Sequence, residues 1–197
     1  MVNNGDIEKR RASGSFFTNS GIAEIAYQHI MKLIQPDFIF EPCVGMGALI
    51  RPFLQENQIQ LAINDLNKAH IASLIQEFDN KNIWHLSEDI LSHKIDEIFL
   101  KWLQRGKFKK ILMYTNPPFG TSSTNAMVIT GQEKQQIEGE NRNSRRISIN
   151  YSGLDKKYGR GDLCIPIIGK IIELLKTAET GYLAFFSPMG LFCGRKR

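Results

Sequence analysis

The residues best suited to chemistry are Tyr114-Thr115-Asn116-Pro117-Pro118-Phe119-Gly120, directly after the apolar run Ile111-Leu112-Met113. They sit where a buried strand gives way to a loop. A residue before proline is pushed out of the helical region, and each proline fixes its own φ and offers no N–H. The backbone from Asn116 to Pro118 is therefore stiff, and its carbonyls are left over. A rigid turn holding an amide side chain, carbonyls and the Phe119 ring can accept hydrogen bonds from a planar amino group and stack on the ring that carries it. Asn-Pro is also a common turn starter, so Asn116-Pro117-Pro118 alone is equally an ordinary strand-to-loop turn. Phe119, the strand in front of it and a glycine-rich loop upstream together favour a site.

That upstream loop comes after the short apolar strand Phe38-Ile39-Phe40, which ends at Glu41; Pro42-Cys43-Val44-Gly45-Met46-Gly47 then turns into what is predicted to be an apolar helix starting near Ala48. A strand, a glycine turn and a helix make the nucleotide-binding start of a doubly wound sheet. The phosphate-loop lysine and its following serine or threonine are missing, which speaks against an NTPase. A second strand, Leu61-Ala62-Ile63, ends in Asn64-Asp65, with Asp65 eighteen residues after Gly47. This is close to where an acid meets ribose hydroxyls in dinucleotide-binding folds. Asp65 is thus a ribose-ligand candidate, or the cap of a helix from about Lys68 to Phe78, or both. A third strand, Ile83-Trp84-His85-Leu86, leads to Asp89, again an acid at a strand's carboxyl end.

The elements that must position these residues emerge from periodicity. Ile22, Ile25, Ala26, Ile30, Leu33 and Ile34 recur at helical spacing, with Asn19 or Ser20 as the N-cap and Pro36 closing the helix. Ile95, Ile98, Phe99, Trp102 and Leu103 mark one face of a helix packed on the sheet. Another helix runs from about Leu163 to Lys176, with Asp162 able to cap it and Pro166 tolerable only in its first turn. A fifth strand is Tyr182-Leu183-Ala184-Phe185-Phe186. Strands alternating with helices predict an α/β, mostly parallel sheet in the order 3-2-1-4-5, which opens the glycine loop and the Asn116 turn onto one crevice.

Size and composition bound the rest. At 197 residues, 42% hydrophobic and 23% charged, the chain suits one globular domain, and no apolar run approaches a membrane-spanning length. The N-terminus is polar and charged, without a secretory signal. Cys43, Cys164 and Cys193 have no Cys-x-x-Cys spacing, and the four histidines form no ligand pattern. These features argue against a disulfide framework or a metal site and fit a reducing, cytoplasmic setting. Between Asn141 and Arg160 lie Arg142, Arg145, Arg146, Lys156, Lys157 and Arg160 against Asp155 alone, a surplus equal to the chain's whole net charge of +5. The run favours a polyanionic partner, or is a solvated loop. Residues 1–14 are expected to form an arm ahead of one domain spanning 15–197, with a long basic loop at about 121–160.

Taken in order, these motifs resemble the N6-adenine DNA methyltransferases, especially the group that includes the modification subunits of type I restriction systems. The resemblance covers roughly residues 14 to 190 and implies a Rossmann-like S-adenosylmethionine-dependent methyltransferase fold. Phe17-Thr18-Asn19 resembles a Phe-Thr-Pro type segment that helps to hold the methionine end of the cofactor, with Asn in place of Pro. Glu41, Pro42, Gly45 and Gly47 match the cofactor loop, Asp65 the ribose-binding acid, and Asp89 the acid facing the cofactor's adenine amino group. Asn116, Pro117, Pro118 and Phe119 match the catalytic motif, and Asp162 is a weaker match beside the cofactor pocket.

The resemblance implies methyl transfer from S-adenosylmethionine to the exocyclic N6 of adenine in DNA, within a restriction-modification system. DNA is the expected partner, gripped by Arg142, Arg145, Arg146, Lys156 and Lys157, together with a target-recognition domain or subunit; no metal and no membrane are implied. The family continues with two further strands, a base-seating aromatic segment and a recognition domain, so the chain is expected to be a fragment, a truncated product or half of a split enzyme. The rival functions are methylation of an RNA base or a protein glutamine, and a catalytically idle nucleic-acid or subunit-binding module.

Overall fold

The computed structural model describes residues 18–78, 81–119 and 164–187. The elements run α1 (Ser20–Leu33), β1 (Phe38–Glu41), a 3₁₀ helix (Arg51–Gln55), β2 (Gln60–Asn64), α2 (Lys68–Glu77), β3 (Ile83–Leu86), α3 (His93–Gly106), β4 (Lys110–Thr115), α4 (Cys164–Leu175) and β5 (Thr180–Phe185). The five strands form one sheet in the order β3-β2-β1-β4-β5, and every neighbouring pair is parallel. The expected strand order and α/β class hold.

Side chains alternate across a strand, and here the alternation sorts two cores. Ile39, Leu61, Ile63, Leu112 and Tyr114 face one way, against Ala23 and Ile30 of α1, Phe53 of the 3₁₀ helix, and Ile71 and Leu74 of α2. Phe38, Phe40, Ala62, Ile111 and Met113 face the other, against Ile95 and Phe99 of α3 and Ile167, Ile171 and Leu174 of α4. A sheet covered on both faces explains why β1 and the apolar part of β4 read as unbroken hydrophobic runs. Pro166 is the third residue of α4, inside its first turn, as its missing N–H requires.

Two expectations are corrected. No α-helix starts near Ala48; turns lead instead to the 3₁₀ helix, whose second residue is Pro52. Proline is tolerated only in a first turn, so nothing helical can begin much before Arg51, and the polar Glu56-Asn57-Gln58 ends the element after Gln55. The second correction concerns α1. Asn19 does cap it, its Oδ1 accepting from the Gly21 N–H at 2.8 Å. Of its apolar positions, however, Ile22, Ile25 and Leu33 are 51, 59 and 77% exposed. Six apolar positions span a wider arc than the helix buries. Rotation is set by Tyr27, whose ring meets Phe53 edge-on at 4.9 Å and whose hydroxyl donates to Glu56 at 2.5 Å. That turns Ala23, Ile30 and Ile34 inward and Ile22, Ile25 and Leu33 outward.

Candidate functional site

The site is built where β1, β2, β3 and β4 end. After Glu41 the chain makes two left-handed residues, Gly45 at φ 53° and Gly47 at φ 77°, which only glycine adopts without strain. A Cβ on Gly47 would also lie 2.7 Å from Leu74 Cδ2, so α2 packs into the space that the glycine leaves. The loop is fixed by its neighbours. The Gly45 N–H donates to Asp65 Oδ2 at 2.7 Å, and the Val44 N–H to the Asn64 carbonyl at 2.9 Å. Arg51 donates to the Met46 carbonyl and bonds Glu77 of α2 through two nitrogens at 2.8 and 2.7 Å.

Asp65 and Asp89 shape the loops that carry them. Asp65 Oδ1 accepts from the Asn67 N–H at 2.8 Å and lies 3.4 Å from His70 Nδ1. It does not cap α2: Asn67 does, accepting from the Ala69 N–H at 2.9 Å. The Asn67 amide two residues closer to the helix is the one in reach of its first free N–H groups. Asp89 accepts from the Leu91 N–H at 2.9 Å. Both acids keep lone pairs for further donors, since each carboxylate oxygen can accept two hydrogen bonds.

Glu41 differs from both. It is 1% exposed, and among the described residues its Oε2 has no hydrogen-bond partner. Burial, and then the charge of Asp65, pushes its carboxyl well above the ordinary carboxylate range. The Tyr114 hydroxyl on β4 is also buried without a partner among the described residues, and burial followed by the Glu41 charge pushes it up. The Cys43 thiol is driven up by burial, then by the charges of Asp65, Glu41 and Asp89. A thiol so disfavoured as thiolate is no nucleophile at neutral pH.

Asn64, which the sequence offered only as the neighbour of Asp65, ties the site together. Though 1% exposed, its Nδ2 donates to the carbonyls of Pro42 at 3.0 Å and Glu88 at 2.9 Å, and its Oδ1 accepts from the Glu88 N–H at 2.9 Å. One amide at the end of β2 thus binds the loops after β1 and β3. The sequence does carry a signal for it: an amide at the end of an apolar strand must find partners or cost stability. Leu66, beside Asp65, and Met46, between the two glycines, are exposed apolar residues at the site that no periodicity singles out.

On β4 the Asn116 turn begins one residue after the strand. The Thr115 carbonyl accepts from the Phe186 N–H at 3.0 Å, extending the pairing with β5 to the turn itself. Asn116 Nδ2 donates to Thr18 Oγ1 at 3.1 Å, joining residues 98 apart in the chain. Pro117 is buried, and Pro118 and Phe119 are half-buried. β1 and β4 are neighbours, so Glu41 and the Asn116 turn lie at adjacent strand ends.

Phe17, Asp162, the arm at 1–14, the loop at 121–160 and its Arg142, Arg145, Arg146, Lys156, Lys157 and Arg160 lie outside the described residues. Among the described residues no group of three or more His, Cys, Asp or Glu could hold a metal ion, and no helix is long and apolar enough to cross a membrane. Neither a scan against protein-family models nor a search of curated proteins finds a match to this chain.

Proposed function

We propose that this chain binds S-adenosylmethionine at the ends of β1, β2 and β3 and directs its methyl group to the N6 amino group of adenine in DNA, presented at the Asn116 turn. The observation that carries this reading is the sign of the site. Glu41, Asp65 and Asp89 converge there, and among the described residues no lysine or arginine forms an ion pair with any of them. A phosphate-bearing cofactor would meet three acids, while the cation at the glycine loop, Arg51, is already held by Glu77 and the Met46 carbonyl, and the short 3₁₀ helix offers no developed helix dipole. S-adenosylmethionine brings a sulfonium and an ammonium instead, and when bound it supplies an electrophilic methyl.

The chain's own residues then have distinct tasks. Glu41 has an unpartnered oxygen suited to a cationic donor, and Asp65 and Asp89 retain acceptor capacity for hydroxyl and amino groups. Leu66 gives a flat ring an apolar neighbour beside Asp65. At the turn, Asn116 Oδ1 and the Pro117 carbonyl accept the two amino hydrogens of the substrate, drawing the nitrogen lone pair out of conjugation. Phe119 stacks on the base, which must leave the duplex to reach it; such stacking contributes about 1–3 kcal/mol toward that cost. The raised Cys43 thiol is consistent with a direct transfer that uses no cysteine adduct.

Calorimetry with S-adenosylmethionine and with its demethylated product tests the cofactor, and equal, unmeasurable binding by the folded wild type and Asp65→Ala would overturn it. Single-turnover transfer of labelled methyl at enzyme excess, followed by nucleoside analysis, tests the substrate. Label on adenine is expected, and Asn116→Ala should lower the rate by about 10²–10³, as for removal of a preorganised acceptor. Label on cytosine, RNA or protein would overturn the DNA-adenine assignment.

A further inference from the structure

We infer that Thr18 is the positioning residue for Asn116: its hydroxyl accepts from the carboxamide nitrogen and anchors the side chain beside the turn. The inference rests on the methyl-transfer reading for its consequence, while the contact itself does not.

A carboxamide has one donor end and one acceptor end, and a half-turn about its last bond exchanges them. For a residue meant to accept an amino hydrogen, that half-turn replaces an acceptor by a donor facing a donor. Nothing in Asn116-Pro117-Pro118 itself forbids it, since the prolines stiffen the backbone and leave the side-chain torsion free. Thr18 gives the side chain a fixed point. Its Oγ1 accepts from Asn116 Nδ2 at 3.1 Å, and since a hydroxyl can also donate, the contact anchors the carboxamide in place whichever end faces it.

The constraint is useful only if Thr18 is itself held, and it is. It immediately precedes Asn19, whose side chain accepts from the Gly21 N–H at 2.8 Å and whose carbonyl accepts from the Ala23 N–H at 3.0 Å. The first turn of α1 therefore fixes the backbone next to Thr18, and the buried Ala23 and Ile30 fix α1 on the sheet. Placement of the N-terminal segment thus reaches the reacting group through one hydroxyl. The family resemblance implies a cofactor role for Thr18; the geometry points to a different one, and the two make different predictions.

The test compares Thr18→Val, which removes the hydroxyl at nearly constant shape, with Thr18→Ser, which keeps it. In asparagine-labelled full-length chain, the Asn116 side-chain amide pair is identified by NMR through its loss in Asn116→Asp. Thr18→Val should shift that pair away from its wild-type position, and Thr18→Ser should leave it close to the wild type. An unmoved pair in Thr18→Val would overturn the contact. In single-turnover transfer at saturating cofactor, Thr18→Val should lose roughly three- to tenfold in rate, the worth of one hydrogen bond, with cofactor affinity unchanged and serine restoring the rate. Weakened cofactor binding with an unchanged saturated rate would overturn the positioning role and make Thr18 a cofactor ligand. If the wild type transfers no methyl, the proposed reaction fails, and the amide pair still decides whether Thr18 holds Asn116.

Discussion

Both ends of β1 carry a carboxylate, and the two are treated in opposite ways. Asp37, just before the strand, accepts from the N–H groups of Lys109 and Lys110 at 2.9 and 3.0 Å, while its own N–H and carbonyl bond Lys110 and Gln60. Around it, Phe38 stacks on Phe108 at 4.6 Å and Trp84 packs 5.6 Å from Trp102. Every polar group of Asp37 serves the fold. Glu41, four residues later, is more deeply buried, yet Oε2 has no partner among the described residues. Buried polar groups are normally satisfied, so the exceptions mark where stability has been withheld for something else. The amino end of the sheet is closed by its own chain. The carboxyl end keeps a buried carboxylate oxygen that the described residues leave without a partner.

Mutations can break that comparison, and the largest stability effect belongs to the carboxyl end's scaffold. Asn64→Ala removes three buried hydrogen bonds and strands their partners, so denaturant unfolding should show a loss of about 3 kcal/mol. At the other end, Asp37→Ala should cost about 2 kcal/mol, for two bonds to a charged acceptor in a half-buried place, with cofactor affinity untouched. Glu41→Gln should act in the opposite direction, gaining stability at pH 7 because a neutral amide escapes the burial penalty on the carboxylate. It should also weaken cofactor binding about tenfold or more, as calorimetry would show. Its pH signature comes from the raised carboxyl, because the folded protein holds the Glu41 proton more tightly than the unfolded chain. That contribution is therefore full below the ordinary value of 4.5 and is lost as pH rises through the elevated one. Glu41→Gln should match the wild type below pH 4.5 and gain on it as pH rises from there to the elevated value.

The smallest effect is expected at Glu77, whose pair with Arg51 is exposed on both sides. Glu77→Gln should cost under about 0.5 kcal/mol by thermal or denaturant unfolding. Its linkage has the other sign: the Arg51 hydrogen bond lowers the Glu77 carboxyl, so the contribution is present above 4.5 and fades as acid is added.

Much of this architecture is legible in the sequence. Apolar runs flanked by glycine, proline and acids locate all five strands, and their order comes from the doubly wound pattern. What local pattern cannot convey is which of several suitable residues wins a geometric competition. Asp65 and Asn67 are both good caps, and only their distance from the first turn of α2 selects Asn67. Ile22 and Ile30 are equally apolar, and Tyr27, anchored on Phe53 and Glu56, decides which faces the core. Ala48 to Gln55 is apolar enough for a helix, and Pro52 alone shortens it. Asn64 and Thr18 are hardest to foresee as organisers, because their partners lie 22 to 98 residues away and no short window contains both.

The Asn64 latch also bears on the kinetics of folding. Its partners, Pro42 and Glu88, belong to the connections that come after β1 and β3, so the amide is satisfied only after three strands from 51 residues of chain, Phe38 to Glu88, have docked in register. Bonds that need so many prior events belong to the finished state rather than to the barrier leading to it. Loss of the latch should therefore show up as faster opening of the site end, with the rate of assembly nearly unchanged. Asn64 keeps the assembled loops closed and contributes little to bringing them together.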